Sequence, residues 1–172
     1  MLILQADRDS LLKPLQAVTG IVERRHTLPI LSNVLLESSN GQTNILATDL
    51  EIQINTAGPE SQTGDFRITT NAKKFQDILR ALPESAIVSL DWADNRLTLK
   101  AGKSRFALQT LPAEDFPLMS VGHDVSTAFS LTQETFKNML SQVQYSMAVQ
   151  DIRYYLNGLL MQVEGNQLRL VA

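Results

Sequence analysis

The sequence predicts an α+β fold made of antiparallel sheets and a few amphipathic helices. Most apolar stretches are short and alternate with polar residues, which is typical of strands. Two-residue turn signals such as Asn40-Gly41 and Asp94-Asn95 separate neighbouring stretches, and turns this short join antiparallel strands. The helical stretches are few and do not alternate regularly with the strands. This pattern disfavours a doubly wound parallel sheet.

A short strand at residues 2–4 opens the chain, and a helix follows it. Its apolar residues recur at i, i+4 and i+7 and therefore share one helical face: Leu11, Leu15 and Val18. Asp9 or Ser10 is expected to cap this helix, with Asp7 as a further cap candidate. Pro14 lies near the start of the helix, and Gly20 is expected to end it.

Four strands are expected after Pro29, at residues 30–37, 45–47, 51–55 and 66–68. A loop is predicted at residues 58–64, where Gly58-Pro59 and Gly64 occur. The second helix is predicted at residues 72–82, capped by Asn71 and ended by Pro83. Three more strands, at residues 87–92, 96–100 and 105–111, complete a first unit of seven or eight strands and two helices.

Residues 112–127 show no periodicity and contain Pro, Gly and acidic residues, which is typical of a boundary between domains. We therefore place the first domain at residues 1–118, a linker at 119–127 and the start of a second domain at 128–172.

The second domain has the pattern of a repeat of the first. After a predicted strand at 129–131, Thr132 caps a helix whose apolar residues lie 125 positions after those of the first helix: Phe136, Leu140 and Val143. We match the Asn40-Gly41 turn with Glu164-Gly165, which also leads into an apolar strand. Chance similarity between two helix–strand–strand segments is the alternative. Because the second copy stops inside a strand, we expect a fragment with one complete unit and part of another.

Composition and motifs exclude several classes of function. The 172 residues are 44% apolar and 19% charged, so the chain can bury a core. Without Cys it has no disulfide, thiolate zinc site or Cys nucleophile, and His26 and His123 are too few for a zinc site. No apolar run is long enough to span a bilayer, and the start does not have the pattern of a secretory signal.

No nucleophile elbow, P-loop or dinucleotide-binding glycine motif occurs in the sequence. Asp49 and Glu51 would share one face of a strand and could suggest a metal site. A turn at the end of a strand is the better interpretation of these residues. The sequence therefore predicts no metal, no cofactor and no catalytic residues.

The distribution of charge is more informative than its sum. The 15 Lys and Arg against 18 Asp and Glu give a net charge of −3, which argues against binding nucleic acid by charge alone. The helical regions nevertheless carry an excess of cations, four against two carboxylates at residues 8–26 and three against one at 71–82. Solvated helix faces are the ordinary explanation. The alternative is a weakly basic lining around a polyanion.

Two further segments are candidate contact surfaces. Residues 150–155 combine an amide, an Arg and two Tyr, which either pack before a strand or contact phosphates, sugars and bases. The predicted strand pair at residues 96–108 interleaves Phe106 and Leu108 with four cations: Arg96, Lys100, Lys103 and Arg105. This pair is either a sheet edge protected by charge or a subunit interface with a charged rim.

Five segments in collinear order resemble one known family. They are Leu-Leu-Lys-Pro-Leu at residues 11–15, Thr-Leu-Pro-Ile-Leu at 27–31, Ala-Thr-Asp-Leu-Glu at 47–51, Ser-Arg-Phe at 104–106 and Gln-Asp-Ile-Arg-Tyr-Tyr-Leu-Asn-Gly at 150–158. The first four look like the first domain of the bacterial sliding clamp, the beta subunit of DNA polymerase III. The last segment is similar to the start of its second domain.

The resemblance implies the DNA-clamp fold, with two helices packed on antiparallel sheets in each of three similar domains. Two subunits would close head to tail into a homodimeric ring around duplex DNA. Such a processivity factor tethers the replicative polymerase, is opened by a clamp loader, and is a non-catalytic, cytoplasmic replication subunit without a cofactor. The alternatives are an α+β enzyme domain whose catalytic residues follow Ala172, and a general protein-interaction module.

The resemblance also implies roles for individual residues. The DNA contacts of the family fall on Arg25, Lys73, Gln150, Tyr154 and Tyr155. At Lys73 the family can carry Arg, and Lys keeps the charge without the planar fork. The first-domain side of the ring interface falls on Arg96, Lys103, Arg105, Phe106 and Leu108. The groove for polymerase peptides lies between the second and third domains, and Tyr155 and Leu156 belong to its neighbourhood.

Overall fold

A computed structural model describes residues 1–22, 28–61, 63–119 and 128–172. The chain divides into two compact units, Met1–Val121 and Gly122–Ala172. Of the predicted linker at 119–127, all but Met119 lies outside the described residues. Among the residues that the structure describes, no helix has the length and apolar character needed to cross a membrane.

The described residues of the first unit form eight strands and two α-helices. In chain order they are β1 (Leu2–Asp7), α1 (Arg8–Val18), β2 (Asn33–Ser39), β3 (Gln42–Thr48), β4 (Gln53–Glu60), β5 (Phe66–Asn71), α2 (Ala72–Ala81), β6 (Ile87–Ala93), β7 (Arg96–Ala101) and β8 (Ser104–Gln109). They form two four-stranded antiparallel sheets, ordered β1-β6-β7-β8 and β4-β3-β2-β5. The predicted α+β class is confirmed.

Both helices turn one apolar face to a core that the two sheets share. Leu15 of α1 and Phe75 of α2 are fully buried in one cluster with Leu90 of the first sheet and Ile45 of the second. The opposite face of each helix is polar and exposed. Helical periodicity thus decides which side chains of α1 and α2 reach solvent.

The two helix starts differ in how they are capped. The side chain of Asn71 accepts a hydrogen bond of 2.9 Å from the backbone N–H of Lys74, which confirms the predicted cap of α2. The predicted cap of α1 by Asp9 or Ser10 is wrong, because α1 begins at Arg8 and Asp7 takes the cap position. The Asp7 side chain makes no capping hydrogen bond there.

Asn71→Ala is expected to lower the free energy of unfolding of the first unit by about 1 kcal/mol, because it leaves a helix N–H without its partner. Urea unfolding followed by the fluorescence of Trp92, the single Trp, measures this loss. Asp7→Ala is the matched control at the other helix start. It removes only a charge–dipole interaction and should cost about 0.5 kcal/mol or less. Equal losses for the two variants would contradict the capping assignment.

Two strand boundaries differ from the prediction. Residues 30–32 lie in the short 3₁₀ turn Pro29–Ser32, so β2 begins only at Asn33. Strand β4 continues through Gly58 and Pro59, where a loop was expected. This strand is an edge of its sheet, and an edge strand accommodates a proline because an outward-facing N–H has no ladder partner.

The start of the predicted domain boundary packs against the first unit. Residues Ala113–Asp115 form a 3₁₀ turn, and the side chains of Ala113 and Phe116 are buried against Leu35 and Leu46. Thr69 Oγ1 donates to the carbonyl of Leu111 at 2.8 Å and anchors the segment. Residues 112–116 lack periodicity because they form a turn that covers Leu35 and Leu46, and not because they belong to a linker.

The second unit contains α3 (Gln133–Val143), β9 (Leu160–Glu164) and β10 (Gln167–Val171), and β9 pairs antiparallel with β10. Thr132 Oγ1 accepts from the backbone N–H of Thr135, as predicted for the cap of α3. The predicted strand at 129–131 is absent from the described residues. Its equivalent in the first unit, β1, pairs with β6.

The repeat is present in the structure at the spacing that the sequence indicated. Helix α3 begins and ends 125 residues after α1, and the 3₁₀ turn Tyr154–Asn157 follows Pro29–Ser32 at the same spacing. The hairpin turn is Gly165-Asn166, one residue later than predicted. We call residues 125 positions apart counterparts.

Candidate functional site

Helix α2 presents its cations to solvent. Lys73, Lys74 and Arg80 are exposed, while Phe75 and Leu79 are buried on the opposite face. Lys73 Nζ lies 3.1 Å from Asp77 Oδ1 one turn later, and both side chains are about half exposed. A surface pair of this kind contributes little and exchanges easily for another anion. Arg25, the other cation predicted to contact DNA in the first unit, lies outside the described residues.

The start of α1 is tied to the end of α2 by one side chain. The guanidinium of Arg8 donates through Nε to the carbonyl of Leu79 at 2.9 Å and pairs with Asp9 at 2.7 Å. The Leu79 carbonyl also accepts from the backbone N–H of Leu82 at 3.3 Å, so Arg8 supplies a second hydrogen bond to it and complements the helix dipole. This contact fixes the two charged helices against each other, and sequence reasoning did not identify it.

In the second unit, the loop that carries Gln150 and the Tyr pair is held by hydrogen bonds around Asp151. The Asn157 side chain accepts from the Asp151 N–H at 2.9 Å and donates to its carbonyl at 3.0 Å. Arg153 contacts the carboxylate through Nε at 3.1 Å and a terminal nitrogen at 3.0 Å. The Arg153 guanidinium holds the pKa of the Asp151 carboxyl below its usual value. The loop is therefore preorganised by its own polar groups.

The ordered loop directs its larger side chains to solvent. Tyr154 and Tyr155 are 83% and 67% exposed, and their rings meet edge to face with centroids 5.9 Å apart. Gln150 has a positive φ of 57°, in the left-handed region. Ile152, 98% exposed, is a further apolar contact candidate that the sequence reasoning missed. Lys73 belongs to the first unit, so the predicted DNA contacts are divided between the two units.

The predicted basic hairpin is formed by β7 and β8, and β8 is the edge of its sheet. Arg96, Lys103 and Arg105 are exposed, and none of the three has an ion-pair partner among the described residues. Lys100 pairs with Asp91 at 2.8 Å, and it lies directly opposite Arg105 in the ladder. The edge therefore carries uncompensated positive charge.

The two apolar residues predicted for the ring interface differ in exposure. Phe106 is partly buried and packs against the main core, so one side of it remains accessible. Leu108 is only 4% exposed and belongs to the core itself. Alternation along β8 turns Leu108 inward, and any contribution of this residue to an interface is through its backbone.

An apolar cavity of about 300 Å³ lies beside Tyr155 and Leu156. Its wall includes Leu160 and Val171, which are directly paired across β9 and β10. Their counterparts in the first unit, Leu35 and Leu46, are also paired and are covered there by Ala113 and Phe116. The cavity is thus the site that an aromatic side chain and a turn occupy in the first unit.

The acidic pair considered as a metal site forms a turn instead. Asp49 Oδ1 accepts from the backbone N–H groups of Glu51 at 2.9 Å and Ile52 at 2.7 Å. Leu50, at a φ of 79°, completes the turn. No group of His, Cys, Asp or Glu within the described ranges could hold a metal ion.

Comparison with known proteins identifies the family. The family model for the N-terminal domain of the DNA polymerase III beta subunit matches residues 2–120. The model for the central domain of the same subunit matches residues 130–172. The chain belongs to the DNA polymerase III beta subunit family. Two successive domains of one subunit match the two copies of the repeat, and the predicted family is confirmed.

Relatives of the DNA polymerase III beta subunit family align along nearly the whole chain. The beta sliding clamp of Pseudomonas aeruginosa is 44% identical over 166 residues, which are 96% of this chain and 45% of the relative. The beta sliding clamp of Escherichia coli K12 is also 44% identical, over 167 residues. The chain therefore spans about half the length of the curated relatives that it matches.

Solved structures of beta subunits share the fold. The P. aeruginosa subunit superposes with a TM-score of 0.91 at 42% identity, covering 99% of this chain and 46% of that one. The Caulobacter crescentus subunit gives a TM-score of 0.85 at 38% identity, with the same coverages. A further P. aeruginosa clamp, solved with bound griselimycin, has a TM-score of 0.92.

Proposed function

We propose that this chain forms the first domain and part of the second domain of a ring-shaped sliding clamp that encircles duplex DNA. The observation that carries the proposal is the 125-residue repeat, whose two copies match two successive domains of the beta subunit. The clamp acts as a processivity factor that tethers the replicative polymerase. It is a non-catalytic accessory subunit that works in the cytoplasm. Residues 1–118 form its first domain, and residues 128–172 form the N-terminal part of its second.

The charge of the chain supports a topological tether. A closed ring cannot leave circular DNA, so it needs few phosphate contacts, and weak contacts let it slide as each is exchanged. Exposed cations on α2 in a chain with a net charge of −3 fit this requirement. The proposed DNA contacts are Arg25 and Lys73 in the first unit, and Gln150, Tyr154 and Tyr155 in the second.

Ring closure is assigned to the edge of β8. Arg105 on β8, Lys103 in the preceding turn and Arg96 at the start of β7 are exposed without carboxylate partners among the described residues. This suits an acidic surface on the third domain of a second subunit. Phe106 supplies the apolar contact. The proposed assembly is a head-to-tail homodimer that a clamp loader opens.

The partner-peptide groove is assigned to the cavity beside Tyr155 and Leu156. Its walls include the apolar side chains of Leu160 and Val171, so it suits a short apolar segment. The replicative polymerase subunit would contribute such a segment. In a three-domain clamp subunit, the remaining walls of this groove belong to the third domain.

Retention on DNA tests this function. In a chimera, these 172 residues replace the corresponding part of the P. aeruginosa clamp, and the ring is loaded onto nicked circular DNA. We expect slow loss from the circle and rapid loss after linearisation, because a linear molecule has ends. Equal loss from both forms would refute the tether.

Lys73→Ala should weaken the contact between the ring and DNA to the same extent for every DNA sequence, because phosphate contacts carry no sequence information.

A further inference from the structure

The loop that carries three of the proposed DNA contacts contains an ion pair of its own. Asp151 and Arg153 lie between Gln150 and the Tyr pair, so both charges belong to the proposed contact surface. The other four residues from 150 to 155 carry no charge. Whether this loop attracts DNA phosphates by charge therefore depends on the Arg153 guanidinium.

The Asp151 carboxylate occupies one edge of the Arg153 guanidinium. Arg153 Nε donates to Oδ1 at 3.1 Å, and a terminal nitrogen donates to Oδ2 at 3.0 Å. The backbone N–H of Arg153 also donates to Oδ1, at 2.8 Å. Paired hydrogen bonds between an Arg and a carboxylate are strong and fix the orientation of the guanidinium. Arg153 is thus held by its side chain and its backbone together.

Lys73, the proposed phosphate contact in the first unit, is held less firmly. Among the described residues its ammonium has one ion-pair contact, with Asp77 at 3.1 Å. An ammonium on a flexible stem can turn from an exposed carboxylate to a phosphate at little cost. Arg153 would have to break two side-chain hydrogen bonds together and leave the Asp151 carboxylate unpaired. Lys73 is therefore available to phosphates in a way that Arg153 is not.

We propose that Asp151 is a positioning residue that keeps Arg153 off the DNA phosphates, so that this loop contacts DNA through uncharged groups alone. The inference rests on the proposed function. A phosphate that approaches the pair meets a cation and an anion together, and a pair without net charge displaces no counterion from DNA. The amide of Gln150 and the Tyr rings contact DNA without regard to sequence. Such contacts suit a sliding ring, because no ion pair has to be broken at each step.

The salt dependence of DNA binding by the ring chimera tests this proposal. Asp151→Asn keeps the side-chain shape but removes the charge that holds the guanidinium. The loop should keep its fold, because Asn157 binds the backbone of Asp151 and not its carboxylate. Anisotropy of a short fluorescein-labelled duplex gives the Kd between about 50 and 200 mM KCl. We expect the slope of log K against the logarithm of the KCl concentration to become steeper by about 0.9, because one phosphate contact is gained. The Kd at low salt should fall about two- to five-fold.

A double variant, Asp151→Asn with Arg153→Gln, assigns this gain to the guanidinium. It has the same net charge as the unmodified ring, and we expect it to return to the slope of the unmodified ring. A shallower slope than that would mean that Arg153 already contacts phosphate, which would overturn the proposal. An unchanged slope for Asp151→Asn alone would also overturn it, as would weaker binding or no binding by that variant.

The matched control is Glu37→Gln. It removes the same charge and releases Arg67, which lies 3.5 Å from Glu37 and directly opposite it in the ladder of β2 and β5. Alternation places Glu37 on the face of β2 that carries Leu35, whereas the helices share a core with Leu36 on the other face. We expect the slope and Kd of the unmodified ring. Equal steepening for Glu37→Gln and Asp151→Asn would attribute the effect to net charge and overturn the proposal.

Retention on circular DNA separates this inference from the proposed function. Slow loss from the circle together with an unchanged slope for Asp151→Asn would refute the role of Asp151 and leave the tether intact. Equal loss from circular and linear DNA would refute the tether. A steeper slope for Asp151→Asn would still show in that case that Asp151 restrains Arg153.

Discussion

Phe75→Ala is expected to lower the free energy of unfolding of the first unit by about 3–5 kcal/mol. The side chain is fully buried in the core that joins α2 to both sheets, and its removal leaves a cavity that rigid strands cannot close. Urea unfolding followed by Trp92 fluorescence is the measurement, since Trp92 packs against the same core. The effect matters for function because this core holds the helix that presents Lys73 to solvent.

Phe129→Ala is the control for the same truncation outside the core. Phe129 is 50% exposed in the second unit, and its removal should change stability by less than about 0.5 kcal/mol. If Phe75→Ala lowers the free energy of unfolding by less than about 1 kcal/mol, α2 is not held in place by this core. The orientation of its charged face would then need another explanation.

The sequence predicts the elements whose pattern is local. The spacing of Leu11, Leu15 and Val18 predicts a helix because a solvated helix must bury one face, and Asn71 predicts a start because its side chain can accept from the third helical N–H. The 125-residue repeat was identified in the same way. Apolar positions recur where the same face must be buried, even though the residues themselves differ.

The errors arise where a distant partner decides the local conformation. Pro59 lies in a strand because β4 is an edge, and edge status depends on the sheet order rather than on residues 58–60. Residues 112–116 form a turn that fills a site between Leu35 and Leu46, far away in the sequence. Residues 129–131 form no strand among the described residues, whereas their equivalents in the first unit pair with β6, which is remote in the sequence.

The exposure of the candidate site residues could be predicted from the sequence only in part. Exposure of Lys73 and Arg105 follows from helical and strand periodicity, whereas the Tyr pair lies in the 3₁₀ turn Tyr154–Asn157, where neither period applies. The anchoring of the loop by Asn157 could not be read from the sequence, since both of its bonds reach back to the backbone of Asp151. The burial of Leu108 could have been predicted from strand alternation, because alternation places Leu108 on the same face of β8 as the partly buried Phe106.

Arg105→Glu separates the two explanations of the basic β8 edge. In the ring chimera we expect the variant to weaken dimerisation by about 2 kcal/mol or more, roughly 30-fold in Kd, because it places like charges across the interface. The fold itself should not suffer, since Arg105 is exposed and the new carboxylate lies opposite Lys100 in the ladder. Sedimentation equilibrium without DNA gives the Kd, and urea unfolding confirms the fold.

The control is Lys137→Glu, which makes the same charge change at an exposed position in α3 of the second unit. It should leave the dimer Kd within about two-fold, because a single exposed charge away from an interface contributes little to affinity. If Arg105→Glu also leaves the Kd unchanged, β8 is not the subunit interface. Its cations then only protect an open sheet edge from pairing with other chains, and ring closure must use a different surface.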